Sequence, residues 1–121
     1  MPGVRIVFFR DAKGVPVSDW LEELRIRNAR AFAKCISAID RLRQLGHELR
    51  RPEADHLGNG IYELRVRTGN VNYRILYFFY GREIVVLAHA LTKEAEVPTR
   101  DIEKANERKT AFEANPAIHS D

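Results

Sequence analysis

Three strand-like segments follow one another with almost no chain between them, and this feature constrains the fold most. The segments are residues 61–67, 71–80 and 83–91, each rich in β-branched, aromatic or other apolar residues. Only Thr-Gly-Asn at 68–70 and Gly-Arg at 81–82 separate them, and connectors this short join neighbouring antiparallel strands. The sequence therefore predicts a three-stranded antiparallel meander.

The segments before the meander predict one strand and two helices. Residues 4–9 form a short apolar run that ends in a turn cluster, as a first strand does. Pro16 begins a short helix, and a long amphipathic helix follows and ends near Gly46. The long helix is predicted from apolar residues at three- and four-residue steps: Phe32, Cys35, Ile36, Ile39, Leu42 and Leu45. Residues 51–60 predict a loop that carries His56, to which no role is assigned.

The chain after the meander predicts one more helix, which begins at Pro98 and Thr99 and extends to about Glu113. Residues 114–121 lack periodicity and are expected to be frayed. Residues 1–121 are expected to form a single domain, because this length with 45% hydrophobic residues suffices for one modest core. The predicted fold class is α+β: a twisted antiparallel sheet, made of the N-terminal strand and the meander, packed against two N-terminal helices, with a C-terminal helix.

Several classes of protein are disfavoured by composition. No segment approaches the roughly 18 apolar residues of a membrane span, and the N-terminus lacks the apolar core of a signal peptide, so we expect a cytoplasmic protein. The one cysteine, Cys35, falls on an apolar helical stripe and is expected to be core. We expect no metal and no other cofactor, since no metal-ligand spacing and no phosphate-binding glycine loop is present.

The net charge of +3 is unevenly distributed. Residues 25–51 carry eight basic groups and two acidic groups, and residues 61–93 carry five and two. Residues 94–121 reverse the sign, with seven acidic and four basic groups. A basic body favours binding to nucleic acid, but the same side chains could simply solvate an exposed helix face.

Arginines gather on one face of the predicted meander. Alternation places Glu63, Arg65 and Arg67 on the face opposite Tyr62, Leu64 and Val66. Arg74 interrupts an otherwise apolar and aromatic neighbouring strand. It can pair with Glu63 inside the protein, or it can present its guanidinium group to a phosphate together with Arg65 or Arg67, because arginine serves carboxylate and phosphate equally well.

His89 lies near the end of the third strand of the meander, and Lys93 follows it. A lone histidine at a strand end is more often a hydrogen-bonded structural residue than a catalyst. Without a metal, an enzyme built on this chain has arginine, lysine, tyrosine and histidine to work with.

The elements around the meander resemble a known family. The resemblance lies in three sequence segments: Leu-Gly-Asn-Gly-Ile-Tyr-Glu-Leu-Arg at 57–65, Tyr-Arg-Ile-Leu-Tyr at 73–77 and Val-Leu-Ala-His-Ala at 86–90. Together they are similar to the phage-derived, HigB-like branch of the RelE/ParE toxin superfamily, and the similarity covers most of the chain. The resemblance implies the toxin of a type II toxin–antitoxin system: a helix-turn-helix antitoxin as partner, and ribosome-dependent cleavage of messenger RNA by attack of a 2′-hydroxyl on the phosphate.

The resemblance also implies roles for individual residues. Arg65 and Arg74 are expected as phosphate clamps, Lys93 as a further cation, and His89 or Tyr77 as the proton handler. Further contacts with RNA are expected from four residues: Arg67, Arg41, Arg43 and Lys34. The hypothesis depends on Arg65, Arg67 and Arg74 forming one pocket for a phosphate, rather than pointing apart or binding internal carboxylates.

One departure from the family pattern keeps two other functions open. Relatives commonly have a second lysine and a polar residue after the position of Lys93, whereas this chain has Glu94, Ala95 and Glu96. Acidic groups there would repel RNA, so catalysis could be weak. The alternatives are a ParE-like inhibitor of gyrase that cleaves nothing, and a degenerate module that only binds an antitoxin.

Overall fold

The computed structural model describes residues 3–92 and 96–121. In chain order its elements are β1 (Arg5–Phe8), α1 (Pro16–Arg27), α2 (Ala29–Leu45), β2 (Ala54–Gly58), β3 (Ile61–Thr68), β4 (Val71–Tyr80), β5 (Ile84–Thr92), α3 (Thr99–Ala114) and α4 (Pro116–His119). The α+β class, the two N-terminal helices, the meander and the C-terminal helix are confirmed.

The sheet is mixed rather than wholly antiparallel. Its strand order is β1-β5-β4-β3-β2, and β3, β4 and β5 form the predicted antiparallel meander. The N-terminal strand β1 joins this meander at its far edge, where it runs parallel to β5. The apolar pattern of residues 4–9 predicts a strand but carries no information about its partner or its direction, so the prediction of an antiparallel pairing was wrong for β1.

The segment predicted as a loop at 51–60 contains an edge strand, β2. It pairs antiparallel with β3, with Asp55 opposite Glu63 and a bulge between His56 and Gly58. An edge strand is paired on one side only and carries exposed polar residues. With Pro and Gly on either side, the sequence of β2 therefore resembles that of a loop. The tight β2–β3 turn has positive φ at Gly58, Asn59 and Gly60, which explains the two glycines.

Two apolar clusters form on the two faces of the sheet. The first packs α1 and α2 against one face and includes Val17, Leu42 and Ile75, all with 0% exposure. Cys35 lies in it as predicted, and burial raises the pKa of its thiol to about 11. The second cluster packs α3 against the opposite face through Phe112 and its neighbours. Because α3 covers only part of that face, charged residues of β3 and β4 can line a pocket beyond its first turn.

The break between α1 and α2 has a local cause. Asn28 leaves the helical region, and its side-chain oxygen accepts a hydrogen bond from the backbone N–H of Ala31 at 3.1 Å. This is a helix N-cap, which satisfies one of the backbone donors that the first turn of α2 leaves free. The two helices therefore pack as separate segments on one face of the sheet.

The tail after Ala114 is docked against β1, which differs from the frayed tail that the sequence predicts. Phe8 and Asp121 exchange two backbone hydrogen bonds of 3.0 and 2.9 Å, and the N–H of Arg10 donates to the carbonyl of His119 at 3.0 Å. The His119 ring stacks on Phe9 at 5.1 Å. These contacts lie far apart in sequence, so the absence of local periodicity gave no sign of them.

No helix within residues 3–92 and 96–121 combines the length and the apolar character that crossing a bilayer requires.

Removing residues 116–121 should lower the free energy of unfolding by about 1–3 kcal/mol, because the tail's backbone hydrogen bonds to β1, its contacts with Arg10 and the ring stack on Phe9 are lost. Urea denaturation followed by circular dichroism measures this change. His119→Ala, which removes only the ring, should have a smaller effect. A truncated chain with the same unfolding midpoint as the full chain would show that the tail does not stabilise β1.

Candidate active site

The strand register brings four charged side chains together on the face covered by α3. Asp55 on β2 lies opposite Glu63 on β3, and Arg65 on β3 lies opposite Arg74 on β4. Leu64 and Val66 belong to the cluster on the other face, so the alternation predicted for β3 is confirmed. Glu63, Arg65 and Arg74 therefore share one face.

The carboxylate of Glu63 binds both arginines. Its side chain is only 3% exposed, and it accepts hydrogen bonds from Arg74 at 2.5 Å and from Arg65 at 3.0 Å. A buried carboxylate is costly unless its charge is paired and its oxygens are hydrogen-bonded. Of the two interpretations open for Arg74, pairing with Glu63 is the one that the structure shows.

Asp55 extends the network to the edge of the sheet. It accepts hydrogen bonds from Arg65 at 3.2 Å and from Arg51 at 3.0 Å. The hydrogen bond to Arg51 is the largest of the causes that hold the pKa of Asp55 below its usual range. The network thus alternates in sign along Arg51, Asp55, Arg65, Glu63 and Arg74, and this alternation offsets the repulsion among the arginines.

These side chains line a pocket of about 300 Å³. Val97 and Ile102, at the start of α3, form its apolar wall. Among the described residues, its charged lining consists of two arginines and three carboxylates: Arg65, Arg74, Asp55, Glu63 and Glu96. The expectation that Arg65, Arg67 and Arg74 form one pocket for a phosphate was therefore wrong, because Arg65 and Arg74 bind internal carboxylates and Arg67 does not line the pocket.

Arg65 keeps one donor without a partner. Its Nε is buried and has no hydrogen-bond partner within the part of the chain that the structure describes. Its side chain as a whole is 37% exposed, so the guanidinium group also reaches the surface. A buried N–H without a partner calls for an explanation, and a bound polar group is one of the available explanations.

Arg67 lies apart from this network. Its Nε donates to the carbonyl of Gly69 at 3.0 Å, and its own carbonyl accepts from Lys34 at 3.2 Å. No carboxylate within residues 3–92 and 96–121 lies at ion-pair distance from Arg67 or Lys34. These two candidates for RNA contact therefore form a small positive surface beside the β3–β4 hairpin.

The other two candidates for RNA contact are neutralised on α2. Arg41 binds Glu53, with an Nη2–Oε1 distance of 2.9 Å, and Arg43 binds Asp40 with Nε at 2.9 Å from Oδ1. Exposed pairs of this kind contribute little stability, but they reduce the attraction of each arginine for an external phosphate. Residues 25–51, with their eight basic and two acidic groups, therefore present fewer unpaired cations than the sequence suggests.

His89 is held by α3. Its Nε2 lies 2.7 Å from Asp101, and its Nδ1 lies 3.2 Å from an N–H of Arg108, which also donates to the carbonyl of Ala88. Because Arg108 can only donate, Nδ1 must accept and Nε2 must carry the proton. Burial, together with Arg108, lowers the pKa of His89 against the opposing effect of Asp101. His89 does not line the pocket, and its position fits the structural role that the sequence left open.

Tyr77 lies on the opposite face of the sheet and cannot reach the pocket. It is 1% exposed, belongs to the cluster under α1 and α2, and stacks on Tyr62 at 5.5 Å. Burial raises the pKa of its hydroxyl, which makes proton transfer from it harder. Its expected role as a proton handler is therefore wrong. Lys93 and Glu94 lie outside the described residues.

The sequence did not identify the carboxylates as members of the site. Glu63 was recognised only as a partner for Arg74, and Asp55 fell in the predicted loop. The signal for Glu63 was present, because a glutamate between Tyr62 and Leu64 in a strand with a buried face needs a cationic partner nearby. Asp55 could not be found, since its place depends on the pairing of β2 with β3.

The fold and the pocket define an α+β protein with a mixed sheet and a buried acidic residue between two arginines. A family model described as Phage derived protein Gp49-like (DUF891) matches residues 19–110. This range spans about three quarters of the chain and includes the whole meander and α2, so the chain belongs to the phage-derived Gp49-like family. No curated protein matches it.

The stability of the fold should fall as the pH drops below about 6.5, the ordinary pKa of histidine, because of His89. The folded state lowers the pKa of His89, so the unfolded chain takes up the proton first. The contribution of His89 is complete above that pH and is lost as the pH falls towards the folded pKa. Urea denaturation at pH 7.5, 6.5 and 5.5 measures how steeply the free energy of unfolding falls with pH. This slope should be smaller in His89→Gln. Equal slopes in the two proteins would contradict the assignment.

Proposed function

We propose that this chain is the toxin of a type II toxin–antitoxin system of the RelE/ParE superfamily, and that it cleaves messenger RNA on the ribosome. The proposal is supported by membership in a phage-derived family, by the α+β fold and by the three sequence runs that resemble HigB-like toxins. A helix-turn-helix antitoxin is the proposed partner. The observation that carries the enzymatic part is a pocket in which one carboxylate is held between two guanidinium groups.

Cleavage of RNA without a metal requires three tasks from the protein. As the 2′-oxygen bonds to the adjacent phosphorus and the 5′-oxygen leaves, the 2′-hydroxyl must lose a proton, the phosphate must be stabilised, and the leaving oxygen must gain a proton. The products are a 2′,3′-cyclic phosphate and a 5′-hydroxyl. Arginines alone can perform only the second task, so a site made only of cations lacks a proton acceptor.

Glu63 supplies the missing acceptor in our proposal. Its oxygens lie within hydrogen-bond distance of Arg65 and Arg74, so a proton accepted there moves next to the groups that stabilise the phosphate. The leaving 5′-oxygen takes its proton from water, which is restored when Glu63 releases the proton that it accepted. Arg65 and Arg74 stabilise the phosphate with their positive charge, since a guanidinium group stays protonated. This arrangement replaces the open arginine clamp, which the structure contradicts. Lys93 stays a proposed further cation, on the resemblance alone.

The test is cleavage of a translated message by purified protein and ribosomes, with RNA ends mapped by primer extension. Glu63→Gln should lower the cleavage rate about a hundredfold or more, because an amide cannot accept the proton of the 2′-hydroxyl. Glu22→Gln is the matched control, because it removes an exposed carboxylate that binds Arg25 on α1, outside the pocket. It should cleave at the rate of the unaltered protein.

A loss of folding must be separated from a loss of chemistry. Removing one partner of a buried ion pair costs about 3–5 kcal/mol, because the other charge is left without a partner. The double variant Glu63→Gln with Arg74→Gln removes one charge of each sign and should unfold at a higher urea concentration than Glu63→Gln alone, yet remain inactive. Cleavage by either variant at the normal rate would refute the role of Glu63.

One observation favours a second function, a toxin that cleaves nothing. The described lining of the pocket has more carboxylates than arginines, which opposes the binding of a phosphate. A ParE-like inhibitor of gyrase, or a module that only binds an antitoxin, needs no such binding. Growth arrest with intact message ends and inhibited supercoiling would indicate the gyrase inhibitor, and no toxicity at all would indicate the binding module.

A further inference from the structure

A second pocket, of about 510 Å³, lies around the edge strand β2. Its lining includes His47 after α2, Arg50 and Arg51 in the connection to β2, and His56 and Tyr62 from β2 and β3. Tyr62 and Glu63 are successive strand residues, so this pocket opens towards the face opposite the candidate active site. Asp55 lines both pockets, which makes them neighbours across the edge of the sheet.

The aromatic side chains of this pocket rest on a rigid support. The rings of His56 and Tyr62 lie 4.7 Å apart, and Tyr62 is backed by Tyr77 at 5.5 Å and Phe79 at 5.3 Å. His47 stacks on Phe79 at 3.7 Å. His47 and His56 are exposed and Tyr62 is half-buried, so the pocket presents ring surface to solvent over a packed core. Such a surface is preorganised for stacking, because little side-chain freedom remains to be lost.

Two arginines, Arg50 and Arg51, lie beside the rings in the lining of this pocket. Arg50 is exposed, and no carboxylate of the described residues lies at ion-pair distance from it. Arg51 binds Asp55 at 3.0 Å, which fixes a carboxylate at the pocket wall as a hydrogen-bond acceptor. Rings, an unpaired guanidinium group and an acceptor are the groups with which proteins bind unpaired nucleotides: base faces stack, phosphates meet arginine, and amino groups of the base donate.

We propose that this pocket binds one unpaired base of a single-stranded RNA, stacked against His56 and Tyr62, with the neighbouring phosphate on Arg50. The inference rests on the proposed function and extends it, because a strand held here passes Asp55 into the candidate active site. The alternative occupant, an acidic peptide, would use the arginines but not the rings.

The experiment measures the affinity of the full chain for a labelled 2′-O-methyl hexaadenylate by fluorescence anisotropy. This RNA lacks the 2′-hydroxyl nucleophile and cannot be cleaved. His56→Gln, which keeps a polar group for the Gly60 N–H but has no ring, should bind about tenfold more weakly. Arg50→Ala should reduce the slope of log Kd against log salt by about 0.7, because one phosphate contact is lost.

One matched variant serves as a control. Lys13→Ala also removes one positive charge, but it follows β1 at the opposite edge of the sheet, so its Kd and its salt slope should not change. An abasic hexamer and hexaglutamate should both bind at least tenfold more weakly than hexaadenylate. Circular dichroism of each variant verifies that it is folded.

The inference is overturned if His56→Gln binds hexaadenylate as tightly as the unaltered chain, or if the abasic hexamer does so. Equal affinity for hexaglutamate would overturn it in favour of an acidic peptide. These outcomes are independent of catalysis. A chain that binds hexaadenylate through His56 but never cleaves message would refute the proposed nuclease activity and leave the base pocket intact.

Discussion

The buried carboxylate of Glu63 is the constraint on which the charged half of this sheet depends. Two arginines on adjacent strands, directly opposite each other in register, would repel in a partly desolvated site. Glu63 lies at 3% exposure between them and binds both, so the arginines can occupy a face that α3 partly covers. The side chain of Arg74 is only 13% exposed, so its charge is largely desolvated. The ion pair with Glu63 offsets the cost of that desolvation. The same interaction places a hydrogen-bond acceptor between two donors.

The ion pairs change what the pocket can be expected to bind. A cluster of unpaired arginines would hold a phosphate tightly in any state of the reaction, and uniform binding of this kind does not accelerate a chemical step. In the network seen here, a phosphate must compete with Glu63 and Asp55 for the guanidinium groups. In the mechanism proposed above, this competition weakens binding of the ground state, while the additional charge and the migrating proton of the transition state interact with both the arginines and the carboxylate. Balanced charge is therefore compatible with catalysis, although it also suits a pocket that binds no phosphate.

The sequence predicted the parts of the fold that depend on local pattern and missed those that depend on distant pairing. The meander, the two helices and the face shared by Glu63, Arg65 and Arg74 follow from alternation, short connectors and helical periodicity. The parallel partner of β1, the edge strand β2 and the docked tail are all set by contacts between segments far apart in the chain. Residue roles were predicted least well. Alternation with Tyr73 and Ile75 left a core position open for Tyr77, and the structure places it there. Helical periodicity could not show that Arg41 and Arg43 have carboxylate partners.

The edge strand β2 shows why pairing between distant segments matters for the two pockets. It contributes Asp55, which binds Arg65 on one side and Arg51 on the other, and it contributes His56, whose ring lies beside Tyr62. A loop at 51–60 would leave both side chains without a fixed place, and the two pockets would not be neighbours. Pairing with β3 makes the five residues of β2 a boundary shared by a charged pocket and an aromatic one. The geometry of both pockets is thus determined by a segment that sequence patterns assign to a loop.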